Sequence, residues 1–100
     1  MVIEMKRIID NEQRLDNLSN LTKKIHRDLD DFTKIIHEYH LLNKYYGSKG
    51  WFKDKETFEK GKYPNIKAGV LSEDAVWNLD EDIHELIHKM EIIIKKIKKQ

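Results

Sequence analysis

Residues 15–39 of the chain read LDNLSNLTKKIHRDLDDFTKIIHEY. Apolar side chains recur there at alternating spacings of three and four residues, with a threonine filling the slot after the second of them: Leu15, Leu18, Ile25, Leu29, Phe32, Ile36 and Tyr39. This is the heptad pattern of a helix with one packed seam. The pattern extends weakly back to Ile8 and forward to Tyr46. It predicts one long helix that ends at Gly47, a residue free to adopt the left-handed conformation.

Two shorter helices are predicted after Gly47. Residues 48–60 form the first, with Ser48 as its N-cap and Gly61 as its end. The second covers about residues 73–99, follows Ser72, and carries an uninterrupted apolar seam: Val76, Leu79, Ile83, Leu86, Met90, Ile93 and Ile97. We therefore expect one all-α domain over residues 1–100, in which a long N-terminal helix, a short middle helix and a C-terminal helix form an antiparallel helical hairpin or a three-helix bundle.

Composition excludes several classes of function. The 19 basic and 18 acidic side chains leave a net charge of +1, so there is no clear basic surplus for nucleic-acid binding. The absence of cysteine rules out disulfides and thiolate chemistry and fits a cytoplasmic protein. No apolar run has the length of a membrane span.

The two long helices differ in predicted length, and this difference suggests an interaction surface. At 1.5 Å per residue the N-terminal helix would be about 65 Å long and the C-terminal helix only about 40 Å. An antiparallel partner of that length leaves the first turns of the long helix uncovered, with apolar side chains at Ile3, Ile8, Ile9 and Leu15. We expect these residues to contact another protein, most simply a second copy in a homodimeric coiled coil.

The C-terminal helix also contains the string His84-Glu85-Leu86-Ile87-His88. On a helix, His84 and His88 lie one turn apart and can share a zinc ion, with Glu85 as a general base. The alternative function is therefore a small zinc-dependent hydrolase or a metal-binding protein. No third ligand follows on a suitable loop, so we expect no catalytic residues, no metal and no cofactor.

Eight of the nine aromatic residues fall between Tyr39 and Trp77, and the same region carries a set of recognisable motifs. They are Tyr45-Tyr46-Gly47-Ser48, then Trp51, Asp54, Gly61 and Pro64, then Gly69-Val70-Leu71-Ser72-Glu73-Asp74-Ala75-Val76. In these residues the chain resembles a family of small bacterial and phage proteins catalogued as a domain of unknown function. The resemblance implies a helical single domain and supplies no activity or cofactor.

Most of this motif has a structural interpretation. Gly47 and Gly69 supply backbone freedom, and Ser72 caps a helix. Aromatic and polar side chains of the motif nevertheless form a possible ligand cluster: Tyr46, Trp51, Asp54, Glu73, Asp74, Trp77 and Asn78. The function expected from the sequence is that of a non-enzymatic helical protein–protein interaction module. A bacterial or phage regulator or inhibitor is one kind of protein with this size and character.

Overall fold

The computed structural model describes residues 2–99, and these residues form helices and connecting turns without any strand. Helix α1 covers Val2–Tyr45, α2 covers Lys49–Glu59 and α3 covers Ala75–Lys98, with a 3₁₀ turn at Gly69–Leu71 before α3. The all-α class and the predicted order of a long, a short and a C-terminal helix are confirmed. Within the described residues, no helix combines the length and the apolar character needed to cross a membrane.

The junction between α1 and α2 follows the local signals in the sequence. Gly47 has a φ of 76°, the left-handed conformation predicted for the residue that ends α1. Ser48 is the N-cap of α2, and its hydroxyl oxygen accepts a hydrogen bond from the Trp51 backbone N–H at 3.2 Å. Gly61, with a φ of 71°, follows the last turn of α2. Both ends of the short helix therefore have the predicted chemistry.

The start of α3 differs in detail from the prediction. The helix begins at Ala75, with Asp74 as its N-cap, rather than at residue 73, and residues 69–71 form a separate 3₁₀ turn. The residue directly before α3 is Asp74, and its side chain makes no capping hydrogen bond, whereas the Ser72 hydroxyl accepts the Ala75 backbone N–H at 3.1 Å. Gly69 does not have a positive φ. The backbone freedom predicted for Gly69 is therefore not required, and Gly61 is the second glycine that uses it.

The chain divides into two compact units, with the boundary between Tyr39 and His40. The described part of the N-terminal unit, residues 2–39, is helical throughout, and α1 contains no buried residue. Among the described residues, the buried apolar side chains are Trp51, Leu71 and Val76, which all belong to the C-terminal unit. That the two units act as the single predicted domain stays a prediction, as does antiparallel packing of α1 on α3.

Candidate functional site

Trp51 is the centre of the small core of the C-terminal unit. It lies in the first turn of α2 and is only 4% exposed. Its indole Nε1–H donates to the Val70 carbonyl at 2.9 Å, so it connects α2 to the 3₁₀ turn. The rings of Tyr46 and Phe52 contact it edge-on, with centroids 5.2 and 4.9 Å away. The indole ring therefore packs against other aromatic rings, and its N–H has a hydrogen-bond acceptor, as a buried tryptophan usually does.

A second hydrogen-bonded group links the end of α1 to α2. The Tyr45 hydroxyl donates to Asp54 Oδ2 at 2.6 Å, and the Tyr63 hydroxyl donates to Asp54 Oδ1 at 3.3 Å. The hydrogen bond to the Asp54 carboxylate is the main cause that raises the pKa of Tyr45 to about 12, and burial adds to it. The phenol therefore remains a protonated donor throughout the physiological pH range.

A cavity of about 240 Å³ opens beside this group. Tyr45, Asp54, Tyr63 and Lys67 contribute its polar atoms, while the remaining wall is aliphatic: Ile66, Ala68, Val70 and Leu71. Small-molecule sites typically have volumes of about 300 to 1,000 Å³, so this cavity is smaller than the lower limit by about a fifth. Because the Asp54 carboxylate already accepts bonds from two phenols, the polar atoms here chiefly hold the unit together.

The predicted ligand cluster is only partly assembled. Tyr46, Trp51 and Glu73 lie together, since the Tyr46 hydroxyl donates to the Glu73 carbonyl and Lys55 forms a 3.1 Å ion pair with the Glu73 carboxylate. The Lys55 ammonium also lies 5.3 Å from the centroid of the Trp51 ring. These contacts engage each member of the trio within the unit.

The other members of the predicted cluster have different surroundings. Asp54 bonds Tyr45 and Tyr63, neither of which was in the predicted set. Trp77 is 56% exposed, and Asp74 and Asn78 are exposed and joined by an α-helical backbone hydrogen bond of 2.8 Å. A ligand role for this cluster stays a prediction. The contacts of Tyr45, Tyr63 and Val70 had no signal in the sequence, because their partners lie 9 to 19 residues away.

The N-terminal unit presents an exposed apolar surface, which we call the α1 stripe. Its members are 36% to 66% exposed: Ile8, Leu15, Leu18, Leu21, Ile25, Leu29, Phe32 and Ile36. The four residues predicted as an interaction surface are exposed by 60% to 78%: Ile3, Ile8, Ile9 and Leu15. Polar neighbours on the helix pair locally, as Lys6 does with Asp10 at 2.8 Å and Lys24 with Asp28 at 2.7 Å. That a partner binds here stays a prediction.

The two histidines of the zinc motif lie on α3, and both are exposed, as is Glu85 between them. At 100° per residue they fall on the polar side of the helix, away from the apolar seam that includes Ile83, which is half-buried. Among residues 2–99, no group of three histidine, cysteine or acidic side chains is placed to hold a metal ion.

Fold and site together define a small all-α protein with a long exposed helix and a hydrogen-bonded aromatic core. The family profile described as "Domain of unknown function (DUF4298)" matches residues 8–93. The chain belongs to this family, which agrees with the predicted resemblance to a family of unknown function. Neither the curated proteins nor the solved structures gave a match to the chain.

Proposed function

We propose that this chain is a non-enzymatic interaction module whose α1 stripe associates with another polypeptide helix. The observation that carries the proposal is the exposure of the stripe along a helix of 44 residues that buries none of them. Exposed apolar residues scattered singly are normal on protein surfaces. Eight of them at helical spacing on one helix are typical of an association surface.

The local energetics of α1 also favour a partner. The segment around Asp16, Asn17, Ser19 and Asn20 is rich in side chains that compete for backbone hydrogen bonds, which lowers its helix propensity. The ion pairs Lys6–Asp10 and Lys24–Asp28 of the N-terminal unit place lysine before aspartate, which is the weaker orientation at a spacing of four residues. Most helices gain their stability from packing of an apolar face.

The available apolar burial is sufficient for association. Complete burial of a large aliphatic side chain contributes about 1.5–3 kcal/mol, so a half-exposed one can still gain about 1 kcal/mol. Two facing stripes of this size offer on the order of 15 kcal/mol. That gross gain reaches the upper part of the range of association costs, about 4–15 kcal/mol.

Self-association is the simplest form of this function. A regulator or inhibitor that binds a helix of another protein would use the same surface. The cysteine-free composition supports a cytoplasmic location as part of the same proposal. The aromatic core of the C-terminal unit then serves to anchor the end of α1, rather than to bind a substrate.

Sedimentation of the full chain at tens of micromolar tests the proposal, together with melting curves at several concentrations. We expect a dimer whose melting temperature rises with concentration, since mass action stabilises an associating fold. Ile25→Glu should give a monomer, whereas the matched control Asn20→Glu, on the opposite face of α1, should remain dimeric.

A wild-type chain that stays monomeric, with a melting temperature independent of concentration, would overturn the proposal. The same holds if Ile25→Glu and Asn20→Glu have equal effects on association, because the stripe would then have no special role. Both results are read from the wild type or from the paired comparison, so unfolding of one variant does not obscure them.

A further inference from the structure

We propose that the partner of the α1 stripe is a second copy of this chain, laid parallel to it and in register, so that each seam residue faces its own copy. This inference rests on the proposed function and adds the identity and the orientation of the partner. It follows from the places that two polar residues occupy in the seam.

The seam of α1 has nine positions from Ile8 to Ile36, and only Asn11 and Thr22 among them are polar. With Ile8 as an a position of the heptad, Thr22 is also an a residue and Asn11 is a d residue. The apolar positions are 36% to 66% exposed in the single chain, so each has surface left to bury: Ile8, Leu15, Leu18, Ile25, Leu29, Phe32 and Ile36.

A parallel, in-register pair matches every one of these positions. In that arrangement a residues face a residues, and d residues face d residues. The seven apolar positions all meet their own copies, and Asn11 and Thr22 meet theirs. No apolar side chain lies opposite a polar one in any of the nine layers between residues 8 and 36.

An antiparallel pair cannot give this match. There an a residue faces a d residue, so Thr22 meets a polar seam residue only opposite Asn11 or Glu4. With Thr22 opposite Asn11, Leu29 faces Glu4, and the last two residues of the stripe have no partner among the described residues. With Thr22 opposite Glu4, Leu15 faces Asn11. In every other register that gives Thr22 a seam partner on α1, that partner is an aliphatic or aromatic side chain.

A shift of the parallel pair is unfavourable for the same reason. Moving one copy by a heptad places Leu15 opposite Thr22, and Asn11 opposite Leu18. A polar group buried against an apolar side chain loses its hydrogen bonds to water without replacement. The two polar residues therefore select both the orientation and the register.

Asn11 has hydrogen-bonding capacity left for its copy. Its amide Nδ2 donates to the Arg7 carbonyl at 2.8 Å, and its Oδ1 accepts the Arg14 guanidinium at 3.3 Å. An asparagine amide has two N–H donors and two acceptor lone pairs. One donor and one lone pair remain, which suffices for a hydrogen bond between the two copies of Asn11 across the seam.

The charges beside the seam are compatible with this pair. In a parallel coiled coil a g residue faces the e residue five positions later, so Arg7 lies opposite Glu12 of the second copy, twice by symmetry. At these flanking positions among the described residues 7–40, no like charges face each other. Antiparallel registers offer similar charge pairs, such as Arg14 with Asp28. The charges therefore support association with a second copy, and the seam determines its orientation.

Single cysteines test the orientation, because the natural chain has none. Ile8→Cys and Ile36→Cys lie near the two ends of the seam, about 42 Å apart along the helix. Each variant is equilibrated alone in a glutathione redox buffer, with Asn20→Cys on the opposite face of α1 as the matched control. We expect both seam variants to form disulfide dimers, and the control to remain largely reduced.

The pattern of disulfides decides the inference. In an antiparallel pair a residue meets its own copy only near the twofold axis, so at most one of the two seam positions could cross-link. Disulfides at one seam position only, at neither, or equally at Asn20→Cys would overturn the parallel register. Sedimentation of the reduced variants identifies a substitution that itself prevents association, and Leu18→Cys and Phe32→Cys then replace the pair.

A charge exchange provides an independent readout. Arg7→Glu should weaken dimerisation roughly tenfold, since it replaces two favourable pairs with two repulsive ones. The double variant Arg7→Glu with Glu12→Arg should recover the affinity. The matched control is Arg27→Glu, the same substitution at an f position away from the seam, which should leave dimerisation unchanged. Equal effects of Arg7→Glu and Arg27→Glu, or no recovery on exchange, would overturn the register.

The two proposals fail in distinguishable ways. A monomeric wild type removes the proposed function and this inference together. A dimer without disulfides at both ends of the seam, or without recovery in the exchanged variant, removes only the parallel register.

Discussion

Trp51 and Trp77 form a matched pair for testing what holds the C-terminal unit together. Trp51 is 4% exposed and hydrogen-bonded to the Val70 carbonyl, while Trp77 is 56% exposed. Replacing Trp51 with phenylalanine removes the indole donor, at a cost of about 1 kcal/mol. The smaller ring leaves space in the core and adds about 1 kcal/mol more. We therefore expect Trp51→Phe to lower the free energy of unfolding by about 2 kcal/mol.

This loss is large relative to the stability available. At roughly 0.05–0.15 kcal/mol per residue, the unit that begins at His40 should be stable by about 3–9 kcal/mol. Trp51→Ala, at about 3–5 kcal/mol, should bring the unit close to unfolding under native conditions. Trp77→Phe should cost less than about 0.5 kcal/mol, as exposed substitutions usually do.

Urea unfolding followed by tryptophan fluorescence measures these differences, because the chain has two tryptophans and each phenylalanine variant keeps one reporter. Circular dichroism of the same samples shows whether helix is lost in the same transition. Equal losses of stability for Trp51→Phe and Trp77→Phe would refute the assignment of Trp51 as the core. A Trp51→Phe variant as stable as the natural chain would refute the role of its hydrogen bond as well.

Two further perturbations test the junction between α1 and α2. Tyr45→Phe should cost about 1 kcal/mol at neutral pH, because it removes a donor to the Asp54 carboxylate at a half-buried site. The folded pKa of Tyr45, about 12, is above the ordinary 10, so its contribution is present below pH 10 and is lost as the pH rises through 12. An alkaline titration of tyrosinate absorbance should accordingly show one late phenol that is missing in Tyr45→Phe, and four phenols titrating together would contradict this. Gly47→Ala should cost about 1–2 kcal/mol through backbone strain at its φ of 76°, with Gly50→Ala, in helical backbone, as the control in thermal unfolding.

The sequence predicted best those features that depend on neighbours in the chain. The end of α1 at Gly47 and the cap at Ser48 follow from residue type and local backbone geometry, and both are present. The apolar spacing identified the long helix because its period is a property of the helix itself. The predicted start of α3, at residue 73, was two residues before the observed start at Ala75, which is within the usual uncertainty of a helix boundary.

The contacts that assemble the C-terminal unit could not be predicted in the same way. Asp54 is bonded to tyrosines nine residues away on either side, and Trp51 is bonded to a backbone carbonyl 19 residues later. Such pairs depend on how turns direct the chain, and residue type alone does not specify them. The predicted cluster accordingly contained Tyr46 and Trp51 in correct proximity, but it omitted Tyr45 and Tyr63.

The hydrogen bonds at the end of α1 have a consequence for how the rest of that helix forms. Starting a helix is the costly step, since several residues must be fixed before the first hydrogen bond is gained. Tyr45 ends α1 and is held by Asp54, and Tyr46 directly after it is held by the Glu73 carbonyl, so the last turn of α1 serves as a nucleus for the helix. Residues further toward the N-terminus need only add to it one hydrogen bond at a time. Without a partner, α1 would therefore unwind progressively from its N-terminal end, and amide hydrogen exchange would slow steadily from Ile3 toward Tyr45.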